Sequence, residues 1–162
     1  MCGLFGWIAT QSPSESQSRE SIDTCFKSMY QRGPDNQGLL VHRKNYGWGS
    51  DENLDEADIV LAHLRLSILD LSQRGHQPMT SSDGRYRIVY NGEVYNYREL
   101  RKELELEGIF FKTDTDTEVV LQALSHWGLD VITRFVGMFA IALHDDVEKK
   151  ISEIKETNQF II

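Results

Sequence analysis

The stretch Cys2-Gly3-Leu4-Phe5-Gly6-Trp7-Ile8-Ala9 decides how the rest of the chain is read. Leu, Phe, Trp and Ile interleaved with two glycines describe a short buried strand that begins at the chain terminus itself. Beyond it, Gln11–Ser18 is polar and carries Pro13. Then Ile22, Cys25, Phe26 and Met29 recur at i, i+3, i+4 and i+7, the stripe of an amphipathic helix stopped by Gly33 and Pro34. A strand is predicted over Gly38–His42, a surface loop over Lys44–Asp58, and a strand followed by a turn over Ile59–Leu71. Asp83-Gly84 is a hairpin signal, and Arg85–Tyr90 alternates up to a second such dipeptide, Asn91-Gly92.

Asn96 with Glu99 marks a helix start, Leu100 and Leu104 its buried face, and Gly108 its stop. Thr115 and Glu118 form a capping box ahead of Val120, Leu124 and Trp127, which places Asp116 in a helix's first turn. A short helix over Asp130–Phe135 and a buried strand over Gly137–Leu143 follow, with Trp127 and Met138 read as core. From Asp145 the sequence DDVEKKISEIKETNQFII reads as a solvated helix. Strands at the start, middle and end with helices bunched between them predict an α+β fold of mainly antiparallel sheets.

The 162 residues are one domain's worth of chain, and 40 % hydrophobic residues suffice for a core. A formal charge of −8 repels phosphate backbones, so neither nucleic acid nor an anionic membrane is expected as a partner. No apolar run approaches the ~20 residues of a membrane span, and the N-terminus lacks the pattern of a signal peptide. A cytoplasmic chain is predicted, in which Cys2 and Cys25 form no disulfide framework.

Cys2 carries the sharpest chemistry. Removal of Met1 would leave a thiol and a free α-amine on one residue, and in unstructured peptides the two titrate within about one pH unit of each other. The amine can then take the thiol's proton, directly or through a water, as base to its own nucleophile. Acyl transfer at an amide also needs an oxyanion hole. Asn91-Gly92 has two readings: a hairpin turn, or a side-chain amide beside a glycine N–H, the two donors of such a hole. Arg65, a charge inside an apolar run, and Asp116, an acid at a helix start, are either ordinary surface residues or the ion-pair partners of a zwitterionic amino-acid substrate.

Six blocks in order, MCGLFGWI (Met1–Ile8), RGPDNQG (Arg32–Gly38), AHLRLSILDLSQRGHQPM (Ala62–Met79), NGEVYNYRELRKELE (Asn91–Glu105), TDTDTEVVL (Thr113–Leu121) and GMFAIALHD (Gly137–Asp145), resemble one family. It is the glutaminase domain of glutamine-hydrolysing asparagine synthetases, a class II glutamine amidotransferase of the N-terminal-nucleophile hydrolase fold. The resemblance implies a four-layer αββα sandwich and hydrolysis of L-glutamine to glutamate and ammonia through a Cys2 thioester. It implies that Cys2 is the nucleophile, Asn91 and Gly92 the oxyanion hole, and Arg65 the partner of the glutamine α-carboxylate. Leu66, Ser67, Ile68 and Leu69 would line the pocket through their backbone, and Glu93 and Asp116 would hold the α-ammonium. The glutaminase step itself would need no cofactor. ATP and Mg would serve a separate synthetase domain, which in this case would have to be another polypeptide accepting the ammonia.

Within class II, the run Leu66–Leu71 after the pocket arginine, where other branches carry Trp and small residues, favours the asparagine synthetase branch, as do RGPD and NGEVYN. Gln31 stands where that family usually has His, and Leu64 replaces a commonly polar residue. The glutaminase domain is expected over residues 2–146, with 147–162 a charged tail that does not match, the fold incomplete at its C-terminus and the synthetase domain absent. Two other readings stay open at this point: an inactive remnant or glutamine-binding module, and an amidotransferase of a sugar or polysaccharide pathway. Gly33–Gly38 has P-loop glycine spacing, but Leu39 and Leu40 follow in place of Lys and Ser/Thr, so no phosphate site is expected. The five histidines show no metal-ligand spacing, and no metal is expected.

Overall fold

The structure is a computed structural model and describes residues 2–9, 15–50, 54, 56–66 and 75–157. The chain forms two compact units, Met1–Ser67 and Ile68–Ile162. Each has its own antiparallel sheet, its own core and helix on its flank, so the architecture is α+β as expected.

In the first unit β1 (Gly3–Ile8), α1 (Glu15–Met29), β2 (Asn36–Arg43), β3 (Gly47–Gly49) and β4 (Ala57–Arg65) make a sheet of order β1-β4-β2-β3. β4 is central, with Gly3 opposite Leu64 on one side and Asn36 opposite Arg65 on the other. Its side chains from Val60 to Arg65 are all buried, which explains an apolar run without clean alternation. Ile22 of α1, Val41, Leu54, Ala57 and Val60 form the core, with Phe5 and Phe26 meeting edge to face at 5.0 Å. The loop expected over Lys44–Asp58 is more structured than its polarity suggests. Gly47–Gly49 pairs with β2, Trp48 packs edge-on against His42, and Leu54 is fully buried.

The second unit contains β5 (Met79–Thr80), β6 (Tyr86–Val94), α2 (Tyr97–Leu106), α3 (Asp116–Trp127), β7 (Gly137–Asp145) and β8 (Lys150–Thr157), in the sheet order β5-β6-β7-β8. Period two on the strands puts Ile88, Tyr90 and Val94 of β6 beside Phe139, Ile141 and Leu143 of β7. The helices add Leu100, Leu104, Val119, Val120 and Leu124 to the same core. Full burial of one such aliphatic side chain contributes ~1.5–3 kcal/mol, so this cluster dominates the unit's stability. The Asp83-Gly84 turn forms as expected. Ser81 N–H donates to the Tyr86 carbonyl at 2.9 Å, and Asp83 accepts from the Ser81 hydroxyl and from Arg85 N–H.

Four expectations are corrected. Residues 150–157 are not a helix but β8, paired with β7 from Asp145↔Lys150 to Met138↔Thr157. Their charge is that of an edge strand, where Lys and Glu keep an open ladder in water. The turn into β8 is held by Asp145, which accepts from Val147 and Glu148 N–H while Arg85 grips it bidentately at 2.9 and 2.6 Å. That guanidinium and the two N–H groups hold the Asp145 carboxyl well below the usual carboxylate range. Met138 is exposed rather than core, because it alternates with the inward Phe139 on β7. Asn96 makes no side-chain cap. Its amide instead donates to the Arg134 carbonyl and accepts from Val136 N–H, both at 2.9 Å. At α3 only half of the predicted box forms. Thr115 Oγ1 accepts from Glu118 N–H at 3.3 Å, while the Glu118 carboxylate binds Lys112 N–H, Thr113 N–H and the Thr113 hydroxyl.

Candidate active site

The first unit holds Cys2, Arg65 and Leu66. Pairing of Gly3 with Leu64 carries the residue before β1 to the end of β4. There Leu66 N–H donates to Cys2 Sγ at 3.3 Å, and the thiol faces the Leu66 carbonyl at 3.8 Å. The sulfur is thereby tied to the backbone at the end of β4, against both the N–H and the carbonyl of Leu66. Arg32, the first residue of the Arg-Gly-Pro-Asp block, donates through Nε to the Cys2 carbonyl at 3.3 Å. Asp35 N–H donates to the Arg65 carbonyl at 3.0 Å, which fixes the strand end that presents Arg65. Arg65 is buried, at 9 % exposure, a position a guanidinium keeps only where it is partnered. Ser67, Ile68 and Leu69 lie outside the described residues.

The second unit holds Asn91, Gly92, Glu93 and Asp116. Of the two readings of Asn91-Gly92 the hairpin is eliminated, because both residues lie inside β6, paired with Ala140 and Phe139. Gly92 has φ +148°, a conformation that side-chain-bearing residues rarely adopt, and a Cβ there would overlap the Met138 carbonyl oxygen and come 2.6 Å from Phe139 Cα. Asn91 Oδ1 is buried and has no hydrogen-bond partner among the described residues. Asn91 as a whole is half-buried, and the unpaired atom is its acceptor end, not the NH2 that an oxyanion hole would use. Glu93 is exposed on the same strand.

Asp116 opens α3 and is buried, with Tyr90 Oη donating to its Oδ2 at 2.7 Å. Sequence reasoning misses Tyr90. A buried tyrosine needs a partner for its hydroxyl, and that requirement is the available signal. Gln77 is missed too. Its carboxamide accepts from Tyr90 N–H at 2.7 Å, and its NH2 donates to the Tyr90 carbonyl at 3.1 Å and to Thr117 Oγ1 at 3.3 Å.

Burial holds the Asp116 carboxyl above its ordinary value, opposed by the Tyr90 hydrogen bond. A carboxyl raised on folding contributes stability that is fully present below its unfolded pKa and is lost as pH rises through the folded one. At neutral pH the buried charge is therefore a cost. Asp116→Asn, which removes that charge, is expected to raise the melting temperature at pH 7. Near pH 3.5 the gain should vanish. Thermal melts of both proteins at the two pH values check this, and equal shifts at both would refute it.

Residues 1–155 match the family model for the glutamine amidotransferase domain. A protein of Methanocaldococcus jannaschii assigned as a glutamine-hydrolyzing asparagine synthetase 2 is 38 % identical over 160 residues, covering 90 % of this chain and 28 % of its own length. Glutamine-hydrolyzing asparagine synthetase 3 of Bacillus subtilis is 34 % identical over 148 residues, covering 90 % of this chain and 22 % of its own. The chain thus spans about a quarter of the length of the curated relatives it matches. In fold it resembles the glutamine phosphoribosylpyrophosphate amidotransferase of B. subtilis, solved with ADP and GMP, with a TM-score of 0.69 at 16 % identity over 90 % of this chain and 35 % of that one. Among the described residues no helix is long and apolar enough to cross a membrane. With a thiol on the residue before its first strand, a glycine its sheet requires after Asn91, and a family model that matches nearly its whole length, the chain belongs to the glutamine amidotransferase domain family.

Proposed function

We propose that the chain hydrolyses the side-chain amide of L-glutamine, with Cys2 as nucleophile once Met1 is removed. The α-amine of Cys2 takes the thiol proton, and Sγ forms a bond to the amide carbon. The C–N bond breaks, and the leaving nitrogen takes a proton and departs as ammonia. Water then attacks the γ-glutamyl thioester, releasing glutamate and restoring the thiol. The Asn91 amide and the Gly92 N–H are the donors for the tetrahedral oxyanion, each the kind of group whose loss costs ~10²–10³ in kcat. Arg65 pairs with the substrate carboxylate, Asp116 and Glu93 with its ammonium, and the backbone of residues 66–69 lines the pocket.

The observation that carries this reading is the match of residues 1–155, which include that thiol, to the glutamine amidotransferase domain. Support for the asparagine branch comes from relatives whose names assign them glutamine-dependent asparagine synthesis. On that reading the ammonia serves a synthetase activity in the cytoplasm that uses ATP and Mg, and the hydrolytic step is independent of both. The test is glutamate and ammonia release from L-glutamine by the purified 162-residue chain with neither ATP nor aspartate present. Stoichiometric release of both products is the expected result, and a folded, Met1-processed chain that releases neither would overturn the proposal.

A further inference from the structure

We infer that Tyr90 is a positioning residue for substrate recognition, its phenol holding the Asp116 carboxylate in the orientation that receives the glutamine α-ammonium. The inference rests on the proposed role of Asp116. It adds a residue that belongs to none of the substrate-binding groups assigned above.

The geometry has three parts. Tyr90 is 2 % exposed and its Oη lies 2.7 Å from Asp116 Oδ2. A carboxylate at the start of a helix can rotate about two side-chain bonds. A donor fixed in the core, together with the Val94 and Thr117 backbone N–H groups that also reach this carboxyl, removes that freedom. Second, the phenol is itself immobile. Tyr90 packs in the core with Ile88, Val94 and the α3 residues, and Gln77 grips its backbone at both the N–H and the carbonyl. Gln77 takes the place a further residue of β5 would have had, since β5 pairs with β6 only at Ile88 and Arg87. The same carboxamide reaches Thr117, the residue after Asp116, so strand β6 and the first turn of α3 are held by one side chain.

Third, Tyr90 directly precedes Asn91 and Gly92. The strand that would supply the oxyanion donors therefore also supplies, from the neighbouring residue, the group that orients the ammonium's partner. A purely structural tyrosine would stabilise the core and leave the choice among ligands untouched. A positioning tyrosine makes the preference for the α-ammonium depend on its hydroxyl.

The experiment measures, by calorimetry on the full chain carrying Cys2→Ala to prevent turnover, the dissociation constants of L-glutamine and of its desamino analogue 4-carbamoylbutanoate. Tyr90→Phe is expected to weaken glutamine about tenfold, within the range for one hydrogen bond to a charged group, and the analogue less than twofold. Asp116→Asn should reduce the same preference, and the double variant should lose little more than either single one. A second substitution, site-specific 3-fluorotyrosine at position 90, keeps ring and hydroxyl should Phe fail to fold. A preference that shifts with the phenol's acidity supports the inference, and one that does not move overturns it. If Asp116→Asn removes the preference and Tyr90→Phe leaves it intact, the positioning role fails while the role of Asp116 stands. If Asp116→Asn itself leaves the preference unchanged, or the chain binds no glutamine, the proposed site is wrong and the inference falls with it.

Discussion

Replacing Cys2 with alanine is expected to reduce glutamate release from L-glutamine by at least ~10⁴-fold, to the background of the assay, because the proposed nucleophile would act as a unit with its base. The fold should be indifferent to the change. What anchors position 2 is backbone: the Arg32 bond to the Cys2 carbonyl and the pairing of Gly3 with Leu64 are both kept by alanine. Alanine removes the acceptor of the Leu66 N–H, at a half-exposed position where water can replace the sulfur. A melting temperature within a degree or two of the parent, beside an abolished rate, separates a chemical role from a structural one. Cys25, half-buried on α1, provides the control, and Cys25→Ala should leave the rate within about twofold. An extension that blocks removal of Met1 should be as damaging as Cys2→Ala, since it keeps acylated the amine proposed as base. An undiminished rate in Cys2→Ala would remove the mechanism.

Much of the fold was legible because short-range rules and long-range packing agreed. Ile22, Cys25, Phe26 and Met29 mark the inward stripe of α1, the first buried and the others half-buried, and Asp83-Gly84 is both a turn signal and a turn. The disagreements arose where a local rule met a distant partner. Asn96 has a helix-capping sequence, yet its amide is satisfied 38 and 40 residues away, at Arg134 and Val136. Lys150–Thr157 has a helix-like charge pattern, yet an open backbone edge on β7 was available to it, and a charged strand suits an edge. Met138 is apolar, but the strand period places it on the face opposite to that of Phe139. The site divides in the same way. Cys2, Arg65, the Asn91-Gly92 pair and Asp116 stand in blocks that can be quoted from the sequence. The Tyr90 bond that holds Asp116 and the Gln77 bond that holds Tyr90 span 26 and 13 residues and have no local signature.

Gly92→Ala should be far more destabilising than a glycine substitution in an open turn of the same unit. Asn-Gly inside a strand contradicts the usual reading of that dipeptide, and the reason is steric. At φ +148° an alanine bears backbone strain of ~1–3 kcal/mol. Its Cβ is also driven into the Met138 carbonyl and to 2.6 and 2.9 Å from Phe139 Cα and Cβ, where relief requires β6 and β7 to separate. Overpacking of this kind adds ~1–3 kcal/mol, so the sum of ~2–6 kcal/mol takes a large share of the ~5–15 kcal/mol that holds a typical domain folded. Gly84→Ala is the matched comparison. Its φ of +75° is also unfavourable, but nothing lies within 4 Å of the added carbon, and a cost of only ~1 kcal/mol is expected. Urea denaturation followed by tryptophan fluorescence measures both. A midpoint for Gly92→Ala that falls no further than that of Gly84→Ala would mean that the two strands accommodate a methyl group, and the close approach at residue 92 would cease to explain why glycine stands there. Because the same residue is assigned an oxyanion donor, the activity of Gly92→Ala has meaning only per folded molecule. A rate loss that tracks the unfolded fraction reports the sheet, and only the excess reports the donor.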